Sequence, residues 1–479
     1  MQLGALIEAV RPRAVRGRAD GEITAVTYRA DAVVPGALHV CVPGHTADGH
    51  DFAAEAVRRG AAALVVERDL PIDVTQILVE SSRRAMAAAA DAFYAHPSAA
   101  LDVVGITGTN GKTTTAFLLH AVLEAAGRQT GLRGTVEQRV GGRVEPVVRT
   151  TPESVDLQAV LRRMADAGDA ACVMEVSSHA LELERVAGVR FAAAAFTNLT
   201  QDHLDFHPDM EHYYRAKARL FESAPAAINV DDAYGRRLAG EAGGPVLTYA
   251  RADPDADVRP HTVEIGRGGV ISLIATTPRG PLPLDVRLRG GFNVANVLCA
   301  VAVSEVLEVP HDAVRAGLAA VAGVPGRFEP VDAGQPFTVL VDYAHTPDGL
   351  ENVLRSAREI TDGRLICVFG CGGDRDRGKR PLMGAVVRRL ADVAVVTSDN
   401  PRSEDPAAII ADITGEFAMD VEVDRRLAIE RAVGMAAPGD VVVVAGKGHE
   451  QGQELADRTV PFDDRDVARE ALAALAGAA

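Results

Sequence analysis

Gly-Thr-Asn-Gly-Lys-Thr-Thr at 108–114 follows the apolar run Leu101–Ile106 and opens a second apolar stretch, Ala116–Ala126. Glycines let backbone N–H groups close around phosphate oxygens, and a helix N-terminus adds partial positive charge. In such a loop Lys112 reaches the terminal phosphates, and the hydroxyl of Thr113 is a magnesium ligand. The general phosphate-loop pattern places glycine five residues before Gly111, where this chain has Ile106, flanked by Gly105 and Gly108. The loop predicts nucleotide-phosphate binding without specifying a reaction. The plain alternative is a glycine-rich strand-to-helix turn.

Three further residues have types suited to chemistry. Glu175 closes the apolar run Ala171–Glu175. A carboxylate at the end of a buried strand costs several kcal/mol unless it is paired or metal-bound. Glu175 is therefore expected to share a magnesium ion with Thr113, a capping or salt-bridged carboxylate being the alternative. His203 lies in Asp-His-Leu-Asp-Phe-His (202–207), and on type alone a loop histidine is more often structural. Lys217 sits in Ala-Lys-Ala-Arg-Leu-Phe (216–221), which reads as helix; a surface lysine paired with Glu211 or Glu222 is the bland reading.

Lysine is itself scarce. Of 50 basic residues only Lys112, Lys217, Lys379 and Lys447 are lysine. A bias toward arginine leaves lysine where a guanidinium cannot substitute for an amine. The net charge of −16 argues against general affinity for nucleic acid or anionic membrane. With 479 residues, 47% of them hydrophobic, the chain can bury several cores. The five cysteines, Cys41, Cys172, Cys299, Cys367 and Cys371, are scattered in apolar settings, as expected of reduced, buried thiols. The opening segment has a glutamate and arginines where a secretory leader needs an apolar core, and no apolar run approaches about 18 residues. The expected location is the cytoplasm.

The elements that must position these residues are β-strands in βαβ units. Runs rich in Val, Ile and Ala end in Gly, Ser, Thr or Asn at 101–109, 170–178, 191–199 and 226–230, and again at 336–344, 364–373, 393–400 and 440–448. Apolar on both faces and spaced by helical segments, they predict buried parallel strands, with ligand groups just past their C-terminal ends. Shorter runs at 38–42, 62–66 and 75–79 predict a small sheet before a Pro-containing boundary at 96–101. The predicted fold class is α/β in three domains: a small N-terminal α/β domain at 1–95, a central phosphate-loop parallel-sheet domain at 96–325 and a C-terminal Rossmann-like domain at 326–479.

Further motifs complete the pattern: RTTPE (149–153), MEVSSHAL (174–181), TNLTQDHLDFH (197–207), YRAKARLF (214–221), GRFE (326–329), DYAHTP (342–347), CGGDRDRGKRPLMG (371–384), DNPR (399–402) and GKGHE (446–450). Together with GTNGKTTT (108–115), and in this order across almost the whole chain, they resemble the Mur ligases, the ATP-dependent amide-forming enzymes of peptidoglycan precursor assembly. The resemblance implies a cytoplasmic, monomeric enzyme acting on small molecules. It uses ATP and two Mg²⁺ ions to convert a substrate carboxylate into an acyl phosphate, which an amine then attacks.

The resemblance also implies roles. ATP would lie against Gly108, Thr109, Asn110, Gly111, Lys112, Thr113 and Thr114, with Asn293 and Asp342 at adenine and ribose and Arg327 and His345 near the phosphates. Thr113, Glu175, His203 and Lys217 would serve the metals. Lys217 would act as a carbamate formed with CO₂, which arginine cannot form because its guanidinium stays protonated. The 1–95 domain would bind the UDP part of a muramoyl-dipeptide, with contacts from His45, Thr46 and Ala47; Thr150, Thr151, Ser177 and Arg185 would hold its peptide.

The amino acid to be added would be read at DNPR. Arg402 would fork onto the distal carboxylate of meso-2,6-diaminopimelate, Arg375 would take the nearer carboxylate, and Asp399, Asn400, Gly446 and Glu450 would complete the site. L-Lysine lacks the distal carboxylate, so Arg402 would be left buried and unpaired at roughly 2–5 kcal/mol, about 30- to several-thousand-fold in discrimination. The expected reaction adds diaminopimelate to UDP-N-acetylmuramoyl-L-alanyl-D-glutamate. A relative adding L-lysine or using a related acceptor is one alternative, and a non-catalytic nucleotide-binding protein is another. One departure bears on the acceptor. Where the family usually has Asp-Ser-Arg this chain has Arg29-Ala30-Asp31, which exchanges the charges and removes a hydroxyl that helps hold the diphosphate.

Overall fold

The fold is that of a computed structural model, which describes residues 1–44, 47–266 and 270–478. The chain forms two compact units. The first comprises Met1–Thr107, Gly127–Ala194 and Arg219–Pro225, and the second Gly108–Ala126, Ala195–Ala218 and Ala226 onward.

The first unit opens with a five-stranded sheet in the order Ala14–Arg16, Thr75–Leu78, Ala61–Val66, Ala37–Val40, Ala25–Thr27. Its first pair is antiparallel and the rest are parallel. Alternation sends Leu38, Val40, Ala63, Val65 and Ile77 toward the helices Leu3–Val10 and Ser82–Phe93, while Ala37, Cys41, Leu64 and Val66 pack with Ala53 and Ala56. Apolar residues on both faces are what a sheet covered by helices on both sides requires. In the same unit Ala171–Glu175 lies parallel between Asp102–Thr107 and Thr130–Arg133, with Glu175 opposite Ile106. Polar residues past these strand ends are thereby gathered on one edge.

In the second unit the helix Lys112–Ala125 packs against Asn293–Val306 and His311–Ala320. A six-stranded sheet runs Glu329–Val331, Thr338–Asp342, Val441–Ala445, Leu365–Phe369, Val393–Val396, Asp420–Val421, with every pair parallel except the first. Val339, Val341, Val442 and Val444 fill one face; Leu340, Val443, Cys367 and Phe369 fill the other.

The strands read from the apolar runs all form, each starting within two residues of its run and ending up to four residues before the run does. A three-stranded antiparallel sheet, Arg259–Ile265, Ile271–Thr277 and Gly280–Val286, is an addition to that reading. All five cysteines are buried and free, as expected. Among the described residues no helix is long and apolar enough to cross a membrane.

Candidate functional site

The phosphate loop is shaped by close approach. Gly108 has φ +146°, and a Cβ there would lie 1.8 Å from Thr197 Oγ1; at Gly111, φ +87°, it would lie 2.3 Å from Asn296 Oδ1. Only glycine fits either place. The loop is pinned to the segment after residue 196: Thr109 N donates to Asn198 O, and Asn110 N donates to Asn198 Oδ1. Asn110 Nδ2 also reaches Asp348 at 2.8 Å. Lys112 Nζ donates to the carbonyls of Gly108 and Thr109, each at 2.9 Å. Thr113 and Thr114 are buried in the first turn of the helix.

Arg327 Nη2 donates to Thr113 Oγ1 at 2.9 Å, and its guanidinium lies 4.4 Å from the centre of the Tyr343 ring. Asp342 accepts from Phe328 N and Ala344 N, and burial pushes its carboxyl above the usual value. Asn293 is buried, with Nδ2 on Arg289 O and Oδ1 accepting from Asn296. A cavity of about 270 Å³ beside it is lined by Asn293, Arg287, Arg289, Arg327, Phe328 and Glu329, among others.

Lys217 lies one side chain away from this loop. It is fully buried, its Nζ donates to Gly108 O at 2.8 Å and sits 4.6 Å from the Tyr213 ring centre. Burial, reinforced by Lys112, pushes its ammonium pKa well below that of an ordinary lysine, against the pull of Asp202. Neither Glu211 nor Glu222 is its partner: Glu211 pairs with Arg215 and Arg237. The surface-lysine reading is thus excluded.

Asp202 was not singled out in the sequence, yet it is the hub of this region. Its buried carboxylate faces His203 Nε2 at 3.4 Å, His345 Nε2 at 3.6 Å and Lys379 Nζ at 3.4 Å. Burial alone would raise its pKa, but His203, Lys379 and His345 hold it well below the carboxylate range. Lys379 acquires a role here: it ties the start of the helix Lys379–Leu390 to the loop that carries His203.

In the first unit Glu175 is held by Thr135, whose N and Oγ1 donate to its two oxygens at 2.8 and 3.0 Å. Thr135 Oγ1 also lies 3.0 Å from Thr150 Oγ1. Thr151 Oγ1 donates to Glu175 O and accepts from Ser177 N, and Ser177 caps the short helix Ser178–Glu182. Arg185 pairs with Glu153 at 2.8 Å, and Arg83 and Arg149 reach the same carboxylate at 3.3 and 3.6 Å. Three arginines around one carboxylate leave this region cationic, a feature the sequence showed only at Arg185. His45 and Thr46 lie outside the described residues; Ala47 O accepts from Gly44 N. The exchanged pair Arg29–Asp31 forms its salt bridge, at 2.6 Å, on either side of Ala30.

The strand ends of the six-stranded sheet bring DNPR and GKGHE together. Gly446 has φ +122°, and a Cβ there would stand 2.4 Å from Asp399 Oδ2. Lys447, fully buried, donates to Asn400 Oδ1 at 2.8 Å and to Glu450 Oε2 at 2.9 Å; Asn400 Nδ2 donates to that same Glu450 oxygen at 2.9 Å. Arg425, also buried, pairs with Asp464 and donates to the carbonyls of Ser398 and Ala445 at the ends of two strands. Burial raises the Asp399 carboxyl, but Lys447 and Arg425 outweigh it and hold the group ionised. Arg402 pairs with Glu454 at 2.6 Å, and Arg375 Nη1 donates to Asp374 O.

A glycine-rich loop closing on a helix, two lysines sharing one loop carbonyl and a separate parallel sheet with charged strand ends define a nucleotide-phosphate-binding α/β protein. Comparison with known proteins narrows this. Residues 22–104 match the catalytic domain of the Mur ligase family, 106–304 the Mur ligase middle domain and 326–448 the Mur ligase glutamate ligase domain. The UDP-N-acetylmuramoyl-L-alanyl-D-glutamate–2,6-diaminopimelate ligase of Geobacillus kaustophilus is 47% identical over 466 residues, covering 94% of this chain and 95% of that protein. The ligase of the same name from Solibacter usitatus is 48% identical over 488 residues, covering 98% of each. A solved structure of a ligase of that name superposes with a TM-score of 0.70 at 30% identity, over 98% of this chain and 99% of that one. The chain belongs to the Mur ligase family.

Proposed function

We propose that this chain is an ATP-dependent ligase that adds meso-2,6-diaminopimelate to UDP-N-acetylmuramoyl-L-alanyl-D-glutamate, forming an amide, ADP and phosphate. The observation that carries the proposal is full-length identity of 47–48% to ligases of that name, together with a strand-end cluster of Asp399, Arg402 and Glu450 suited to an amino acid with charge at both ends. The domain division 1–95, 96–325 and 326–479, a cytoplasmic location and a monomeric state belong to the same reading.

Lys112 is the charge on the transferring phosphoryl group, where electrostatic stabilisation carries most of the catalysis. The loop residues Gly108 to Thr114 cradle the phosphates, Arg327 and His345 attend them, and Asn293 and Asp342 meet adenine and ribose. Thr150, Thr151, Ser177 and Arg185 hold the muramoyl-dipeptide, with His45, Thr46 and Ala47 toward its nucleotide. Asp399, Asn400, Arg402, Gly446, Glu450 and Arg375 hold the diamino acid.

Among the described residues no three His, Cys, Asp or Glu side chains stand together as a metal site. Magnesium prefers oxygen ligands, and Thr113 and Glu175 each supply them. Lys217 supplies one only after its neutral amine adds CO₂ and releases a proton, and burial favours that neutral amine. The residues therefore fit magnesium provided Lys217 is carbamylated. The bound metal would neutralise phosphate charge, and His203 and the Lys217 carbamate would orient it.

Incubation with ATP, Mg²⁺, the muramoyl-dipeptide and either meso-diaminopimelate or L-lysine should give, with the former, a product heavier by diaminopimelate less water. Faster turnover with L-lysine overturns the choice of amino acid. Ala30, whose side chain cannot donate to a diphosphate, favours one second reading, a related acceptor. Absence of product with both amino acids from folded protein would select it.

A further inference from the structure

Arg402 carries a resident carboxylate of its own chain. Its Nε lies 2.6 Å from Glu454 Oε2, while its Nη1 donates to Gly373 O at 2.9 Å. The backbones are tied as well: Arg402 N donates to Glu454 O at 3.1 Å, and Glu454 N donates to Asn400 Oδ1 at 3.0 Å. Arg402 is held at φ +50°, a conformation that residues with a side chain rarely adopt. Glu454 ends one strand of a small hairpin, Gly452–Glu454 with Thr459–Pro461. Its side chain is 49% exposed against 23% for Arg402, so the carboxylate is the partner with room to move.

We propose that Glu454 is a specificity-determining residue: it is the internal counter-ion of Arg402, and the distal carboxylate of the incoming amino acid must displace it. The inference rests on the proposed reading of Arg402 as the distal-carboxylate site. It changes the expected discrimination. An amino acid with no distal carboxylate does not strand Arg402, because Glu454 stays in place. The penalty that sequence reasoning assigned to L-lysine therefore shrinks. A retained Glu454 also leaves a negative charge beside the ammonium end of lysine, which favours the wrong substrate. For diaminopimelate the same carboxylate is a competitor for the fork on Arg402.

Glu454→Gln keeps the shape and both backbone bonds and removes the charge. With the full chain, ATP, Mg²⁺ and muramoyl-dipeptide, the KM for meso-diaminopimelate should fall about three- to ten-fold, with the change in KM rather than kcat. The kcat/KM for L-lysine should fall, so the preference for diaminopimelate rises; Glu454→Ala should move both in the same direction. A KM for diaminopimelate that stays or rises in both variants overturns the inference. Arg402→Met separates the two readings. It should cut kcat/KM for diaminopimelate by more than about 30-fold and spare lysine. If it leaves the ratio of the two substrates unchanged, the reading of Arg402 falls. If it collapses the ratio while Glu454→Gln leaves KM alone, only the role of Glu454 falls.

Discussion

Lys217 is an amine buried where its charged form is disfavoured, beside the carbonyl that Lys112 also uses. A buried cation that forms no ion pair among the described residues is costly, and conversion to a carbamate exchanges that cation for an anion beside Lys112. Lys217→Ala should lower kcat by at least about a hundred-fold, the loss expected for one electrostatic contributor. Added acetate or formate should restore part of it, since a small carboxylate can enter the space the side chain leaves. Full activity in the variant would remove the carbamate from the mechanism. Lys217 could be marked from sequence because a surviving lysine in an arginine-rich chain already signals an amine with a task. Asp202, Arg425 and Glu454 could not, because their roles depend on partners as far as 177 positions away. Those partners meet only once the strands are assembled.

At the scale of elements, the parallel strands were legible because a strand buried on both faces must be apolar at every position. The three-stranded antiparallel sheet was not, because its middle strand alternates buried and half-buried residues and gives a weaker pattern. One strand carries an element-level liability. His39 lies in the middle of Ala37–Val40, on the face of Ala37 and Cys41, 1% exposed and with neither ring nitrogen hydrogen-bonded among the described residues. Burial pushes its pKa down from 6.5 to about 4. Between those values the unfolded chain takes up a proton that the folded chain refuses, so stability falls as pH falls through that window, by about 3 kcal/mol at its lower end. His39→Leu should match or exceed the wild type in Tm at pH 7.5, because two unsatisfied nitrogens are removed. Melting curves from pH 7.5 to 5 should then show a shallower decline in the variant. Parallel declines would mean that the histidine finds a proton acceptor in the folded sheet.

At the scale of the whole molecule, the arginine bias and the site turn out to be one observation. Lys217, Lys379 and Lys447 are buried, and Lys112 is the one lysine with partial exposure, its amine turned into the phosphate loop. Each buried amine has a specific acceptor: Gly108 O for Lys217, Asp202 for Lys379, Asn400 and Glu450 for Lys447. Lys379 and Lys447 are compact charges set against carboxylates, Lys217 is an amine whose charged form is disfavoured, and the fully exposed basic surface is arginine throughout. An amine-directed reagent should therefore read the functional regions and nothing else on the lysines. Acetylation of the folded chain, mapped by peptide mass, should modify Lys112 first and leave Lys217, Lys379 and Lys447 nearly untouched; in urea the rates should converge. ATP with Mg²⁺ should protect Lys112, since a phosphate-bound ammonium has no lone pair to offer. Labelling of Lys379 or Lys447 as fast as Lys112 in the native chain would mean that the loops around Asp202 and Asn400 open on the timescale of the reagent, and that the lysines mark surface after all.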